Sequence, residues 1–194
     1  MFIQVMQAKT ARQDEVRAFA EKWSQDVTDG YLGGTFGVTD GGDFLGVVRF
    51  SSPEAAAANS DRPETDALSR EFAGLMDGPI EFADYDDVTQ FLDGGSDSAG
   101  FVQVIRGTTD DVAGAKALMS DPGSLREMRP EIIGGTFAVD ADGGFTETVY
   151  FTDEESARGG EQQEPPAEVR ESIEKLMAQA SFYDLRTPWF ESAT

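Results

Sequence analysis

Two glutamines stand inside apolar runs where an amide is out of place. Gln4 lies two residues from both Phe2 and Met6, and Gln103 two residues from both Phe101 and Ile105. Side chains alternate across a strand, so each amide shares a face with those apolar neighbours. A buried amide needs hydrogen-bond partners. It finds them either by pairing with its counterpart about a pseudo-twofold axis or with backbone, or by serving as a polar group in a pocket. Arg49 and Arg106 each end an apolar run. A guanidinium there either holds an anionic substrate or reaches solvent and the many acidic side chains. Trp23 recurs at helical spacing with Val16, Phe19 and Ala20, which places it in a core or on the wall of a cleft. Tyr85, Tyr150 and Tyr183 offer phenol hydroxyls to a ligand, or else sit in a core or at its rim. Asn59 and Arg62 fall in a loop that faces either a cleft mouth or solvent.

The absences restrict the chemistry more tightly. The 194 residues include no histidine and no cysteine. The usual general base, the commonest metal ligand and every triad built on histidine are therefore missing. So are disulfides, thiolate nucleophiles and zinc–sulfur sites. Asp140-Ala141-Asp142-Gly143 resembles the start of a calcium loop, but Phe151 occupies the place of the bidentate glutamate, and the segment reads as a hairpin turn. With 37 acidic against 15 basic residues, the net charge is -22. Such a surface repels nucleic-acid phosphates and anionic membranes, so neither is expected as a partner. No apolar stretch approaches the roughly 20 residues that span a bilayer. Met1 is followed at once by a strand-like run with no basic leader, and a cytoplasmic location is the expectation.

The elements that must position these side chains occur twice. Phe2-Ile3-Gln4-Val5-Met6 matches Phe101-Val102-Gln103-Val104-Ile105, and Gly33-Gly34-Thr35-Phe36 matches Gly134-Gly135-Thr136-Phe137. Gly41-Gly42-Asp43-Phe44 precedes Val47-Val48-Arg49-Phe50, as Gly143-Gly144-Phe145 precedes Thr148-Val149-Tyr150-Phe151. Tyr150 thus replaces Arg49 in the second copy. The boundaries predicted are a first unit at 1–92, a flexible linker at 93–100 rich in glycine, serine and aspartate, and a second unit at 101–190.

Each copy reads β-α-β-β-α-β. In the first, a strand leads to a helix from Asp14 to about Thr28, stopped by Gly30. A hairpin over Thr35–Val38 and Phe44–Phe50 follows. Ser51-Ser52-Pro53-Glu54 then opens an alanine-rich helix, with serine as cap and proline in the first turn. A second helix carries Leu68, Phe72, Leu75 and Met76, and a closing strand runs from Ile80 to Tyr85. In the second copy, Asp121-Pro122-Gly123 interrupts the first helix. This order is the α+β ferredoxin-like arrangement, with helices on one face of an antiparallel sheet. The strands are nevertheless apolar on both faces. The expectation is two tandem units packed sheet to sheet as an intramolecular pseudo-dimer, with further homodimerisation open.

The stretch from Gly30-Tyr31-Leu32-Gly33-Gly34-Thr35-Phe36 through the Gly41-Gly42 hairpin to Phe50-Ser51-Ser52-Pro53-Glu54-Ala55-Ala56 resembles the dimeric α/β-barrel superfamily. It is most similar to the antibiotic-biosynthesis-monooxygenase-like branch. Ile133-Gly134-Gly135-Thr136-Phe137 and Tyr150-Phe151-Thr152-Asp153-Glu154 extend the resemblance, less closely, into the second unit. It implies an intramolecular dimeric α/β barrel that binds a small apolar or aromatic molecule, and a cofactor-independent oxygenase if the protein is catalytic. In such chemistry an apolar pocket takes up an acidic phenol, and polar groups stabilise its anion while oxygen reacts. Haem-degrading members ligate iron through histidine, which this chain lacks. Substrate-binding candidates are Trp23, Arg49, Gln4, Gln103, Tyr85 and Tyr150, with no catalytic residue assigned and no cofactor or metal expected. The competing reading is a non-catalytic binding or interaction module whose pocket has filled with side chains.

Overall fold

The opening apolar run forms β1 (Phe2–Lys9). Its alternation buries Phe2, Met6 and Ala8 on one face and Ile3 and Val5 on the other. These elements come from a computed structural model that describes residues 1–23, 29–119 and 122–192. Helix α1 (Gln13–Trp23) begins where the spacing predicts, with Val16, Phe19 and Ala20 buried. The expected continuation to Thr28, and the side chain of Trp23, lie outside the described residues.

Strands β2 (Tyr31–Val38) and β3 (Asp43–Phe50) form the predicted hairpin. Its turn closes with the Gly42 N–H donating to the Thr39 carbonyl at 2.9 Å. Gly42 has φ +80°, a left-handed conformation that a side chain would strain. In α2 (Pro53–Ser60) the Ser52 hydroxyl accepts from the Ala55 N–H at 3.2 Å, satisfying one of the free donors of the first turn. Helix α3 (Pro63–Ala73) buries Phe72, and Met76 continues its apolar face beyond the last turn. Strand β4 (Glu81–Tyr85) closes the repeat, and β5 (Asp87–Phe91) follows at once.

The second copy supplies β6 (Phe101–Thr108), then α4 (Val112–Met119) and α5 (Pro122–Met128); of the predicted interruption, Pro122 and Gly123 open α5 and Asp121 lies outside the described residues. It continues with β7 (Ile132–Val139), β8 (Gly144–Phe151), α6 (Glu154–Glu161), α7 (Ala167–Met177) and β9 (Ser181–Leu185). A last strand, β10 (Trp189–Ser192), ends the described chain.

Every strand pairing is antiparallel. The two five-stranded sheets have the orders β10-β2-β3-β1-β4 and β5-β7-β8-β6-β9. Removing the outermost strand beside β2 or β7 leaves the ferredoxin-like order in each, so the protein is α+β with two tandem ferredoxin-like units.

The added strands were not anticipated, and they change the division of the chain. One compact unit is Met1–Asp86 with Thr187–Thr194, and the other is Asp87–Arg186. β5 pairs with β7, not with the strands that precede it, so the division falls at 86/87 and not in the 93–100 segment. β10 returns from the end of the chain to pair with β2. Each unit has its own apolar cluster between helices and sheet. Phe19, Phe44, Phe50 and Phe72 mark the first, and Phe101, Phe137, Phe145 and Phe151 the second. The opposite sheet faces are also buried, at Ile3, Val5, Leu45 and Val47 in one unit and Val102, Val104 and Leu185 in the other.

Candidate functional site

The helix-facing side of the first sheet does not close completely. A cavity of about 210 Å³ remains between the sheet and helices α1, α2 and α3. The sheet contributes Gln4 and Met6 from β1, Tyr31 and Phe36 from β2, and Phe44, Val48 and Phe50 from β3. Phe19 and Phe72 come from the helices, with Asn59 and Thr65 among the polar groups. The rings are mutually braced. Phe36 stacks on Phe44 at 6.5 Å, Tyr31 meets Phe50 edge-on at 5.8 Å, and Phe44 meets Phe72 edge-on at 5.2 Å. Such contacts fix ring orientation beyond simple burial.

One carboxylate enters this aromatic enclosure. Glu191 on β10 pairs in register with Gly34, which has no side chain to fill the adjacent space. Glu191 is 8% exposed, and its Oε2 is buried with no hydrogen-bond partner among the described residues. Burial pushes its carboxyl up to about 7 from the ordinary 4.5, and the like charge of Glu21 on α1 pushes the same way. The strand that carries it is anchored by Trp189, which is buried and stacks on Phe36 at 6.4 Å. The Tyr31 hydroxyl donates to the Glu191 carbonyl oxygen at 3.5 Å. Glu191 was absent from the residues singled out by sequence. The sequence offers little signal for it, since Trp189-Phe190-Glu191-Ser192 is two apolar residues followed by two polar ones.

The second unit carries larger or charged side chains at the corresponding positions. Phe91 stands opposite Gly135 where Glu191 stands opposite Gly34. Glu147 pairs with Ile105 and Phe137 where Gly46 pairs with Met6 and Phe36. Arg158 replaces Ala57, counted from the helix caps Asp153 and Ser52. Its guanidinium lies 5.3 Å from the centre of the Phe101 ring and bonds Asp184 and Glu161. Glu147 is buried, and desolvation pushes its carboxyl up to about 7 against the opposing pull of Arg129. Arg129 itself pairs with Glu131.

The predicted candidates separate accordingly. Gln4 lines the cavity, and its Nε2 donates to Asp84 Oδ1 at 2.9 Å. Gln103 Nε2 donates to Asp184 Oδ1 at 2.9 Å and to Glu161 Oε1 at 3.3 Å. The pairing of the two amides about a twofold is therefore corrected. Each side-chain amide bonds the aspartate opposite it on the closing strand of its own sheet. Arg49 is buried, and its Nη1 donates to Thr35 Oγ1 at 3.0 Å. It points to the opposite face from Val48 and Phe50 and does not line the cavity. Tyr85 is buried beside Ile3 on that same far face, and Tyr150 is buried on the far face of the second sheet. Asn59 does line the cavity, but from the last turn of α2 and not from a loop. Among the described residues, no group of three or more acidic side chains is placed to hold a metal ion. No described helix is long and apolar enough to cross a membrane.

No protein-family model and no curated protein matches the chain. Solved structures do. A candidate monooxygenase from Lactobacillus acidophilus NCFM matches 100% of this chain over 98% of its own, at 14% identity and TM-score 0.72. One from Fusobacterium nucleatum subsp. nucleatum ATCC 25586 matches 98% of this chain over 94% of its own, at 10% identity and TM-score 0.71. An anthrone oxidase-like protein matches 99% of this chain over 94% of its own, at 11% identity and TM-score 0.67. At these identities the likeness concerns fold: the chain has the tandem ferredoxin-like fold of monooxygenase-like proteins.

Proposed function

We propose that the first unit binds a small hydroxylated aromatic molecule between its sheet and helices, and oxidises it with molecular oxygen without a bound cofactor. The observation that carries this reading is the aromatic cavity of about 210 Å³ with a few polar groups converging on it. An apolar cavity of about 150 Å³ accepts a benzene ring, so this one suits one ring or two fused rings. Binding sites are typically apolar enclosures with few polar groups fixing orientation. Gln4, Asn59 and Glu191 meet that description. The full-length fold likeness to monooxygenase-like proteins supports the same reaction class.

1-Naphthol is a suitable test compound. Oxidation at the carbon para to its hydroxyl consumes one O₂, placing one oxygen atom in 1,4-naphthoquinone and releasing the other as water. The aromatic carbon is oxidised and dioxygen is the oxidant. Calorimetry should show binding of 1-naphthol by the full chain, with loss of binding in Gly46→Leu. Quinone formation should carry label from ¹⁸O₂. Absence of binding by the wild-type protein would sink the reading altogether.

The second unit supports no equivalent site in this proposal. Phe91, Glu147 and Arg158 stand at the positions of Glu191, Gly46 and Ala57, and its role in this reading is to complete the fold. The competing view of a degenerate pocket thus describes one half of the chain.

A further inference from the structure

Glu191 is the one carboxylate among the described residues that line the cavity. The remaining walls of the cavity are rings, aliphatic groups, hydroxyls and amides. A carboxylate costs free energy in such surroundings unless something bonds to it. Neighbouring groups do not provide this. Oε2 is buried and unpartnered among the described residues, and Tyr31 bonds the backbone carbonyl of Glu191, not its carboxyl group. The nearest influential charge is Glu21, which is of the same sign. Nor is the acid a requirement of strand pairing, because Phe91 occupies the same register in the other sheet.

We propose that Glu191 is the proton acceptor of the cavity, receiving the hydroxyl proton of an acidic phenol bound there. The assignment rests on the reading of the cavity as an aromatic-binding site, and it specifies which aromatics. They carry a free hydroxyl group and not an ether or a bare ring. In the transfer, the O–H bond of the ligand breaks, the electron pair remains on the phenolate oxygen, and the proton passes to the Glu191 carboxylate. Before transfer the same pair forms a charge-assisted hydrogen bond, among the strongest available to a neutral ligand. Gln4 and Asn59 are the side-chain amides placed in the same cavity to bond the resulting phenolate.

The test compares 1-naphthol with 1-methoxynaphthalene, which keeps the rings and loses the proton. Binding to the full chain is measured by calorimetry at pH 6 and pH 8, in wild type, Glu191→Gln and Glu191→Leu. At pH 8 wild type should prefer the naphthol by about tenfold or more, as a hydrogen bond to a charged acceptor gives. The preference should shrink at pH 6, where the carboxyl becomes protonated. Facing groups that titrate or carry charge are Glu21 on α1 and the Tyr31 phenol on β2. In both variants the preference should collapse to within about threefold and lose its pH dependence, while the ether binds as in wild type. Two outcomes overturn the assignment while sparing the aromatic site. One is equal binding of both compounds by wild type at pH 8; the other is a preference that survives in both variants. If wild type binds neither compound, the site itself is refuted and the assignment with it.

Discussion

Replacing Glu147 with glutamine should stabilise the protein at alkaline pH and leave it nearly unchanged at acid pH. Glu147 is 6% exposed, among Phe137, Phe145 and other apolar groups of the second core. Its carboxyl is raised from 4.5 to about 7, so the folded state binds the proton more tightly than the unfolded chain. The stabilisation from that proton is fully present below about 4.5 and is lost as pH rises through 7. Each pKa unit corresponds to about 1.4 kcal/mol, so the raised value represents about 3 kcal/mol of strain in wild type above pH 8. Glutamine keeps the shape and cannot ionise. Urea unfolding of both proteins at half-unit intervals from pH 4.5 to 8.5 would give the difference directly. The Glu191 titration falls in the same range but occurs in both proteins and cancels. The gap should widen by about 3 kcal/mol across this range, mostly between pH 4.5 and 7, with half of the change reached at about pH 6 and a plateau above about 7. A gap constant within about 0.5 kcal/mol would refute the account of Glu147 as a desolvated carboxyl.

Further expectations concern the cavity and its counterpart. Glu21→Gln should move the midpoint of naphthol binding against pH to a lower value, because a like charge facing Glu191 is removed; a rise would contradict the electrostatic picture. Gly46→Leu should lower 1-naphthol affinity at least tenfold, since even a Cβ at Gly46 would lie 3.0 Å from Met6 Cε and 3.1 Å from Phe36 Cδ1. Trp189→Ala should cost about 3–5 kcal/mol, as for other large aromatic truncations in cores, and should weaken ligand binding by freeing β10. Arg158→Ala should cost only about 1 kcal/mol, because its ion pairs are partly exposed, and 1 M salt should reduce that cost; both are read from urea midpoints.

The repeat was legible because it is written in features that survive divergence. Glycine pairs in the hairpins, apolar alternation in the strands, and a serine or aspartate cap before α2 and α6 are all set by local geometry. Gln4 could be identified as a polar group in an apolar row, but its partner could not, since Asp84 lies 80 positions away and meets it only through strand register. The sequence left Arg49 and Tyr85 undecided for a related reason. Period-two patterning tells which residues share a face, yet both faces here are apolar, so it cannot tell which face borders a cavity. Glu191 escaped notice because nothing local announces that a terminal strand will pair with β2. Long-range pairing is decided by what edge remains free, and that is a property of the whole sheet.

The return of β10 to the first sheet also orders events in time. The amino-terminal unit is not continuous in sequence; the whole second unit is inserted between β4 and its final strand. During synthesis, β1 to β4 emerge early with the edge of β2 still bare. An uncovered edge is prone to pairing with other chains. Glu191, the carboxylate of the cavity, is translated only after the whole second unit. The site therefore cannot be complete before the second unit has been made, and a chain cut short ahead of β10 keeps the aromatic walls without the acid. Completion of the pocket thus waits on synthesis of the intervening unit.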